Sequence, residues 1–291
     1  MKALGYACPE TLEEAIALLA EYDGRARPLA GGTDIIVQVR EGHRDLDMMV
    51  DVKRIPQLRQ LTHDSAEGLV LGAAVPCCEF YEHAEIASLY PGLVDAAELV
   101  GGTAIQSRAS FGGNLCNSSP AADTIPALIA HRASCVIAGP GGQREVPVED
   151  FCTSPGRNVL GRGELLVSLR IPTPGPNSGA HYLRFIPRNE MDIAVVGAGS
   201  SVVLNDAGDT FVSGRVGLGA VAPTPLLVEE AGEVLSGSPV SDAVIDQAAA
   251  AASRAARPIS DMRGTIEQRI HLSGVLTRRT LVKAVARARG E

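Results

Sequence analysis

The sequence predicts an α+β protein whose chain forms three successive units. A strand–helix–strand pattern fills the first unit, and hairpin signals alternate with helical stretches in the second. After a linker rich in proline and glycine, three strand patterns in a row precede three helical ones. Consecutive strands followed by helices are typical of an antiparallel sheet covered by helices. We therefore divide the chain into residues 1–56, 57–176 and 177–291.

The first unit opens with a clear helix signal. Thr11 and Glu14 form a capping box ahead of a periodic apolar run, and Gly24 ends the helix. The remaining elements expected here are a short strand at 27–30, a helix at 35–41 capped by Thr33 or Asp34, and a buried strand at 48–52.

Glycine and proline mark the turns of the second unit. The elements expected there are a hairpin over 58–75 that turns at Gly68, a helical stretch over 80–99 interrupted at Pro91-Gly92, an apolar helix ending at His131, strands at 134–138 and 144–148 around a glycine-rich turn, and a strand at 164–171.

The third unit begins after the linker Pro172–Gly179. The elements expected in it are antiparallel strands at 181–187, 193–205 and 211–221, followed by helices at 225–235, 242–256 and about 263–288.

Composition excludes several function classes. The formal net charge of −8 leaves no basic stripe to replace the counterions of a nucleic acid, so no nucleic-acid partner is expected. No stretch reaches the roughly 18 apolar residues of a membrane span. The N-terminal segment lacks the apolar core of a secretory signal. We therefore expect a cytoplasmic protein without a membrane span.

Six cysteines and six histidines do not form a recognisable metal or disulfide pattern. No C-x-x-C pair occurs, and the adjacent Cys77 and Cys78 are too close in sequence for ordinary metal ligation. The histidines never fall at metal-ligand spacing. We expect no metal site on this chain, and mostly reduced cysteines that act as small apolar residues.

Two glycine-rich segments are the most informative part of the sequence. The first is Leu29-Ala30-Gly31-Gly32-Thr33-Asp34, and the second is Ser110 with the turn Gly112-Gly113-Asn114, followed by small and hydroxyl residues. Segments with few side chains expose backbone N–H groups, which phosphate oxygens accept hydrogen bonds from. Two such segments in one chain predict a dinucleotide held between them.

Each segment also has a plainer interpretation. Gly31-Gly32 alone is compatible with an ordinary turn from strand to helix. Asp34 would repel a diphosphate, so it is expected either to cap the next helix or to bind a sugar hydroxyl. Asp123 likewise either accepts hydrogen bonds from a ribose or caps the helix that Pro126 helps to begin.

Other cofactor and catalytic motifs are missing from the sequence. No G-x-G-x-x-G follows a first strand, no lysine follows a glycine loop as in a Walker motif, and no G-x-S-x-G elbow occurs. A cofactor holder without an evident acid, base or nucleophile is expected where a flavin supplies the redox chemistry. We therefore assign no catalytic residue.

The same segments carry a family resemblance. The motifs, in chain order, are AGGTD at 30–34, SFGGNLCNSSPAADTIPAL at 110–128, ELLVSLRIP at 164–172, RNEMDIAVV at 188–196 and ISDMRGTIEQRIHLSGVLTRRTL at 259–281. Together they resemble the FAD-binding medium subunit of the molybdenum hydroxylases, the family of xanthine dehydrogenase and the carbon monoxide dehydrogenase flavoprotein. The likeness runs nearly from end to end.

The resemblance implies a fold and a set of site residues. The fold would be that of p-cresol methylhydroxylase-like flavoproteins, with 1–56 and 57–176 as two α/β lobes that clasp an extended FAD and 177–291 as the C-terminal domain. The resemblance makes Ala30 to Asp34 and Ser110 to Asn114 the pyrophosphate loops, with Leu29 as a further FAD contact. It also implies Asp123 at the adenosine ribose, Val100 near the adenine, Cys116 and Leu166 beside the isoalloxazine, and Arg184 near its pyrimidine end, where several relatives carry a lysine. A cation there would favour the anionic reduced flavin.

The resemblance also implies partners. Iron–sulfur clusters would lie on a small subunit and the molybdopterin cofactor on a large one, in a dimer of heterotrimers that passes electrons to an external acceptor. Two other functions compete with this one: a stand-alone flavin-dependent oxidase, and a non-catalytic assembly module. Turnover of an organic substrate by the isolated chain would favour the first, and a native complex without flavin the second.

Overall fold

The computed structural model describes residues 3–189 and 191–291. The first two residues of the N-terminal segment and Glu190 of the 188–196 motif lie outside this range. The first lobe is a small parallel sheet with strand order β1-β3-β2 and two helices. Its elements are β1 (Gly5–Ala7), α1 (Leu12–Glu21), β2 (Ala26–Leu29), α2 (Ile35–Arg40) and β3 (Met48–Asp51).

The expected strand–helix–strand pattern is confirmed in this lobe. The Thr11 side chain accepts a hydrogen bond from the backbone N–H of Glu14, as the capping box predicts. Only β1 escaped prediction, because three residues are too few to show a period.

A five-stranded antiparallel sheet forms the second lobe, with strand order β4-β5-β10-β6-β7. Its middle strand, β10, is buried along nearly its whole length, which explains its continuous apolar sequence. The strands are β4 (Leu61–Asp64), β5 (Gly68–Gly72), β6 (Ser134–Gly139), β7 (Gly142–Pro147) and β10 (Leu165–Ile171), with a separate two-stranded pair of β8 (Cys152–Ser154) and β9 (Arg157–Asn158).

Six short helices connect these strands, namely α3 (Cys77–Glu82), α4 (Ala84–Leu89), α5 (Pro91–Ala97), α6 (Thr103–Gln106), α7 (Phe111–Asn117) and α8 (Thr124–Ala130). The stretch over 80–99 is thus broken twice and not once. His83 ends α3 and also caps α4 through its ring nitrogen, and Pro91 begins α5. The break at His83 has no glycine or proline to signal it.

The predicted turn at Gly112-Gly113-Asn114 is wrong, because these residues lie inside helix α7. Ser110 is the N-cap, and its hydroxyl oxygen accepts a 3.0 Å hydrogen bond from the Gly113 N–H. Two consecutive glycines disfavour a helix by propensity, so tertiary contacts must hold this one.

The C-terminal domain is a four-stranded antiparallel sheet, β11-β12-β13-β14, covered by helices. Its elements are β11 (Ser178–Phe185), β12 (Val196–Leu204), β13 (Phe211–Gly219), β14 (Leu226–Leu227), α9 (Glu229–Leu235), α10 (Asp242–Ala255) and α11 (Ile266–Ala288). The three expected strands and three helices are confirmed, although β14 occupies the predicted first turn of α9.

Helix α8 joins the second lobe to this domain. Its last carbonyls have no partner within the helix, and the C-terminal sheet supplies donors for two of them. Ser201 Oγ donates to Ala130 O, and Arg215 Nε donates to Ile129 O, each at 2.6 Å. These bonds fix the end of α8 on the C-terminal sheet, and the start of the same helix lies at the cleft described below.

Candidate functional site

An open cleft of about 1070 Å³ lies between the first and second lobes, and the segment at 191–193 closes part of it from the C-terminal domain. Every residue expected at the cofactor lines this cleft, apart from Leu29 and Phe111. Leu29 instead lies behind the loop, where its Cδ1 would be 3.1 Å from a Cβ at Gly32. The cleft is large enough for a ligand well beyond the size of a mononucleotide fragment.

Gly31 of the first segment touches the chain two residues before Ser110, where the second segment begins. A Cβ on Gly31 would lie 1.8 Å from the carbonyl oxygen of Arg108, just before Ser110. Only glycine permits this approach, and the following Gly32 has a φ of 81°, in the left-handed region. The segments are therefore brought together on one wall of the cleft, although they lie some 80 residues apart in sequence.

The two glycines of helix α7 have different surroundings: Gly112 packs against the chain, and Gly113 faces open space. A Cβ on Gly112 would lie 2.5 Å from the Ala73 carbonyl oxygen, so this glycine allows the helix to pack on the chain after β5. A Cβ on Gly113 would meet one atom within 4 Å, the Ser110 Oγ at 3.0 Å. Gly113 thus leaves room beside the helix backbone on the cleft side.

The Asn117 side chain, at the end of helix α7, forms hydrogen bonds to the first glycine-rich segment and to the helix that follows it. Its Nδ2 donates to Asp34 Oδ1 at 3.1 Å, and its Oδ1 accepts from Gln38 Nε2 at 2.9 Å. Gln38 in turn accepts from Arg44 Nε at 2.6 Å. Neither Asn117 nor Gln38 is among the site residues that the sequence predicts, although Asn117 lies in the run of small and hydroxyl residues after Gly113.

Asp34 does not cap helix α2. It occupies the N-cap position of that helix, but its side chain makes no capping hydrogen bond within the described part of the chain. Desolvation by the cleft walls raises the pKa of Asp34, although its carboxylate remains accessible in the open cleft. Of the two roles considered for Asp34, the capping role is therefore wrong, and the second role stays a prediction.

Asn114 caps the next helix, α8. Its Oδ1 accepts hydrogen bonds from Thr124 Oγ1 at 2.6 Å and from the Thr124 N–H at 3.3 Å. Asp123, the residue expected to cap or to bind ribose, occupies the N-cap position without a capping bond to any described residue. Asn114 therefore fixes the start of α8, and the Asp123 carboxylate is left for a different contact.

That contact is a buried ion pair with the C-terminal sheet. Arg184 Nη1 donates to Asp123 Oδ2 at 2.7 Å, and Tyr182 Oη donates to Asp123 Oδ1 at 2.9 Å. Burial raises the pKa of Asp123 to about 6, while Arg184 and Tyr182 oppose the rise. The Arg184 side chain is 4% exposed, and its Nε is buried without a partner among the described residues.

The ion pair corrects one expectation. The resemblance placed Asp123 at the ribose of the adenosine and Arg184 near the pyrimidine ring, which are opposite ends of an extended FAD. A 2.7 Å contact puts both side chains at the same end of any elongated ligand. The two roles cannot both hold for an extended FAD, and the contact does not by itself say which of them applies.

The apolar site residues lie on the cleft walls as expected from the resemblance. Val100 and Leu166 are buried and line the cleft. Cys116, on α7, lines it too, and burial raises the pKa of its thiol to about 12, against the lowering effect of Arg27. All six cysteines are free thiols, in agreement with the sequence analysis.

The cleft fits a dinucleotide such as FAD. It offers backbone without a side chain at Gly113 and a second cation at Arg27. The buried Arg184 Nε, also in the cleft, has no hydrogen-bond partner in the described ranges. Within residues 3–189 and 191–291, no group of three or more His, Cys, Asp or Glu side chains is arranged to hold a metal ion. Over the same range, no helix is both long and apolar enough to cross a membrane.

Comparisons with known proteins agree with this interpretation. A family model described as the FAD binding domain in molybdopterin dehydrogenase matches residues 2–174, and one described as the CO dehydrogenase flavoprotein C-terminal domain matches 181–284. The chain is 33% identical to the carbon monoxide dehydrogenase medium chain of Afipia carboxidovorans, over 98% of this chain and 97% of that protein. It is 30% identical to the xanthine dehydrogenase FAD-binding subunit of Escherichia coli O157:H7, over 97% and 96%.

Solved structures give the same result. Reconstituted CO dehydrogenase from Oligotropha carboxidovorans matches with a TM-score of 0.93 at 30% identity, over 98% of this chain and 99% of that one. Quinoline 2-oxidoreductase from Pseudomonas putida 86 matches with a TM-score of 0.90 at 28% identity, over 99% of both. The expected α+β fold is confirmed.

The chain belongs to the family of FAD-binding subunits of the molybdenum hydroxylases, which includes the xanthine and carbon monoxide dehydrogenases. It is thus an FAD-binding subunit of an oxidoreductase.

Proposed function

We propose that this chain carries FAD in the cleft and transfers electrons from iron–sulfur clusters on a small partner subunit to an external acceptor. A large molybdopterin subunit would complete a heterotrimer, two of which would associate, and the complex would work in the cytoplasm. The formal charge of −8 and the absence of a metal-holding cluster among the described residues are compatible with a subunit that relies on its partners for metal chemistry.

The observation that carries this proposal is the contact between the two glycine-rich segments. Gly31 abuts the Arg108 carbonyl, and Gly113 is open on the cleft side. Backbone without side chains at these glycines leaves room for a diphosphate to approach the wall on which both segments lie. We assign the diphosphate of FAD to this wall, with Thr33 and Ser110 as hydroxyl donors beside it.

The ends of the cofactor follow from the flanking residues. The Asp123–Arg184 pair and Val100 would hold the adenosine end, since a carboxylate can accept hydrogen bonds from ribose hydroxyls while Arg184 keeps it charged. Cys116 and Leu166 would face the isoalloxazine, and Asp34 would bind a hydroxyl of the ribityl or ribose sugar.

FAD supplies the electron-transfer chemistry, and the chain supplies its position and polarity. The buried walls at Val100 and Leu166 exclude water from the rings, which strengthens the polar contacts that the cofactor makes. No acid or base of this chain is assigned to the reaction, so an oxidase that turns over an organic substrate alone is not favoured by any described residue of the cleft.

The proposal is tested by the flavin content of the purified full chain. We expect a flavin absorbance spectrum with FAD bound close to one per chain, and Gly113→Val should abolish retention because its side chain fills the space beside α7. Gly175→Val is the matched control, since nothing described lies within 4 Å of a Cβ there. A chain that neither contains nor takes up FAD would disprove the proposal, and a Gly113→Val variant with full flavin would disprove the placement of the diphosphate.

A further inference from the structure

Lys53 binds the backbone of the first glycine-rich segment from outside the cleft. It lies two residues after the end of β3, and its Nζ donates to the carbonyl oxygen of Ala30 at 3.1 Å. Ala30 is the first residue after β2, whose last residue, Leu29, pairs with Asp51 in the parallel sheet. The Lys53 ammonium therefore holds the chain at the point where the strand ends and the glycine-rich segment begins.

A carboxylate at the end of β3 keeps Lys53 in this position. Asp51 Oδ1 accepts from Lys53 Nζ at 2.7 Å and from the Lys53 N–H at 3.1 Å, and Asp51 Oδ2 accepts from Tyr6 Oη of β1 at 2.7 Å. Burial alone would raise the pKa of Asp51, but the hydrogen bonds from Lys53 and Tyr6 outweigh that effect and lower it. The Asp51 side chain, 10% exposed, thus stays charged and fixes the ammonium of Lys53.

The bond to Ala30 fixes the direction of the next N–H group. The described chain contains no cis peptide bond, and in a trans peptide the carbonyl and the N–H point in opposite directions. The Gly31 N–H therefore points away from Lys53. Gly31 lines the cleft, and Lys53 is not among the residues that line it.

The backbone donors of this segment are available to a ligand. Within residues 3–189 and 191–291, no group accepts a hydrogen bond from the N–H of Gly31, Gly32 or Thr33, and all three residues line the cleft. Unpaired N–H groups at a cleft wall can bind an anion. Glycine leaves the peptide before it free to rotate, so the direction of the Gly31 N–H must be held by a group outside the segment.

We propose that Lys53 is a positioning residue for FAD, which holds the peptide between Ala30 and Gly31 so that the Gly31 N–H donates to the diphosphate. The ammonium acts through this peptide and does not itself touch the cofactor, while Asp51 and Tyr6 keep it in place. The inference rests on the proposed function, because it requires the diphosphate on this wall.

The test compares the full chain with Lys53→Met, Lys53→Arg, Tyr6→Phe and the control Lys283→Met, which alters an exposed residue of α11. Flavin fluorescence titration of the apoprotein gives the dissociation constant of FAD, and phosphorus NMR of the loaded chain reports the surroundings of the diphosphate. We expect Lys53→Met to weaken FAD binding about tenfold and to shift the phosphorus signals. Lys53→Arg should restore most of the affinity, because a guanidinium can donate to both the Ala30 carbonyl and Asp51.

The other two variants bound the effect. Tyr6→Phe removes one donor to Asp51 and leaves Lys53 in place, so it should weaken FAD binding in the same direction by less. Lys283→Met should leave the affinity and the phosphorus signals unchanged. Urea denaturation of each apoprotein measures how much of any loss comes from stability.

Two results would overturn the inference. Lys53→Met with unchanged affinity would show that the Ala30 peptide needs no support. A loss of affinity with unchanged phosphorus signals, not restored by Lys53→Arg, would show that Lys53 only stabilises the fold. Should Lys53→Met not fold, unchanged phosphorus signals in Tyr6→Phe would overturn it. Failure of the proposed function would look different, because the unmodified chain would hold no FAD.

Discussion

Asn117 donates to the Asp34 carboxylate at 3.1 Å, which joins helix α7 of the second lobe to the start of helix α2 in the first. The same amide accepts from Gln38, so one side chain joins the two glycine-rich segments on their shared wall of the cleft. Because both bonds run to protein groups, Asn117 positions these two segments relative to each other.

We expect Asn117→Ala to weaken FAD binding more than it weakens the fold. The variant leaves Asp34 and Gln38 without their shared partner, at a cost to the free energy of unfolding of about 1 kcal/mol. Loss of the alignment between the two segments should reduce the affinity for FAD by about tenfold, a factor that corresponds to about 1.4 kcal/mol. Flavin fluorescence titration of the apoprotein measures this, with the exposed Gln143→Ala as control. Affinity equal to that of the unmodified chain would show that Asn117 does not position the two segments.

We expect Arg184→Met to be among the most damaging single changes. It leaves the Asp123 carboxylate buried with the Tyr182 hydroxyl as its donor, which should lower the free energy of unfolding by about 3–5 kcal/mol. Urea denaturation measures the loss. Arg188→Met, which removes an exposed partner of Asp192, should cost about 0.5 kcal/mol. The double variant Asp123→Asn/Arg184→Met should lose less than Arg184→Met, and a larger loss would argue against a compensated buried pair.

The contact between the lobes at Gly31 leads to a third prediction. Gly31→Ala places a methyl group 1.8 Å from the Arg108 carbonyl, so one of the two segments must move. We expect a loss of about 1–3 kcal/mol in stability together with reduced flavin content. Gly141→Ala is the control, because nothing described lies within 4 Å of a Cβ there. Thermal unfolding and flavin absorbance measure the two effects, and a Gly31→Ala variant that matched the control in both would contradict the close approach of the two segments.

Acid stability should depend on Asp95 of helix α5. Its carboxylate accepts from Arg287 of α11 and from the His181 ring of β11. Burial alone would raise the pKa of Asp95, but Arg287 and His181 outweigh that effect and hold it at about 2, below the usual 3.8. Because the folded-state pKa is lowered, the stabilisation is present above about pH 4 and is lost as the pH falls towards 2.

Asp95→Asn should therefore cost about 2 kcal/mol at pH 7 and progressively less below pH 4. Urea denaturation of both proteins across this range measures the difference in the free energy of unfolding. A difference that stays constant from pH 7 to pH 2 would show that the Asp95 charge does not contribute.

Local signals in the sequence account for much of the fold. The capping box begins α1 at the expected residue, and the apolar run of β10 marks the buried centre of the second sheet. Helix α7 could not be predicted locally, because its glycines are unfavourable in isolation and are held by packing on Ala73 and by the Ser110 cap. The strands β8, β9 and β14 are too short to show a period.

The candidate site, like the fold, could be predicted only where a local sequence signal exists. Glycine content alone indicated the two segments that line the cleft, because the property that matters there is a missing side chain. Hydrogen bonds between residues that are distant in sequence could not be predicted. Asp123 and Arg184 are 61 residues apart, and Asp34 and Asn117 are 83 apart. Nothing in the sequence says which arginine meets a carboxylate, so the pairing of Arg184 with Asp123 could be recognised only from the folded chain.

Helix α8 is secured at both of its ends to the C-terminal sheet, through Asp123 at its start and through the carbonyls that Ser201 and Arg215 reach at its finish. These contacts should hold the second lobe and the C-terminal domain together even when the peptide linker at 172–177 is cut. A protease that nicks it should leave two fragments that co-purify under native conditions, separate in denaturant, and hold flavin only while they remain associated.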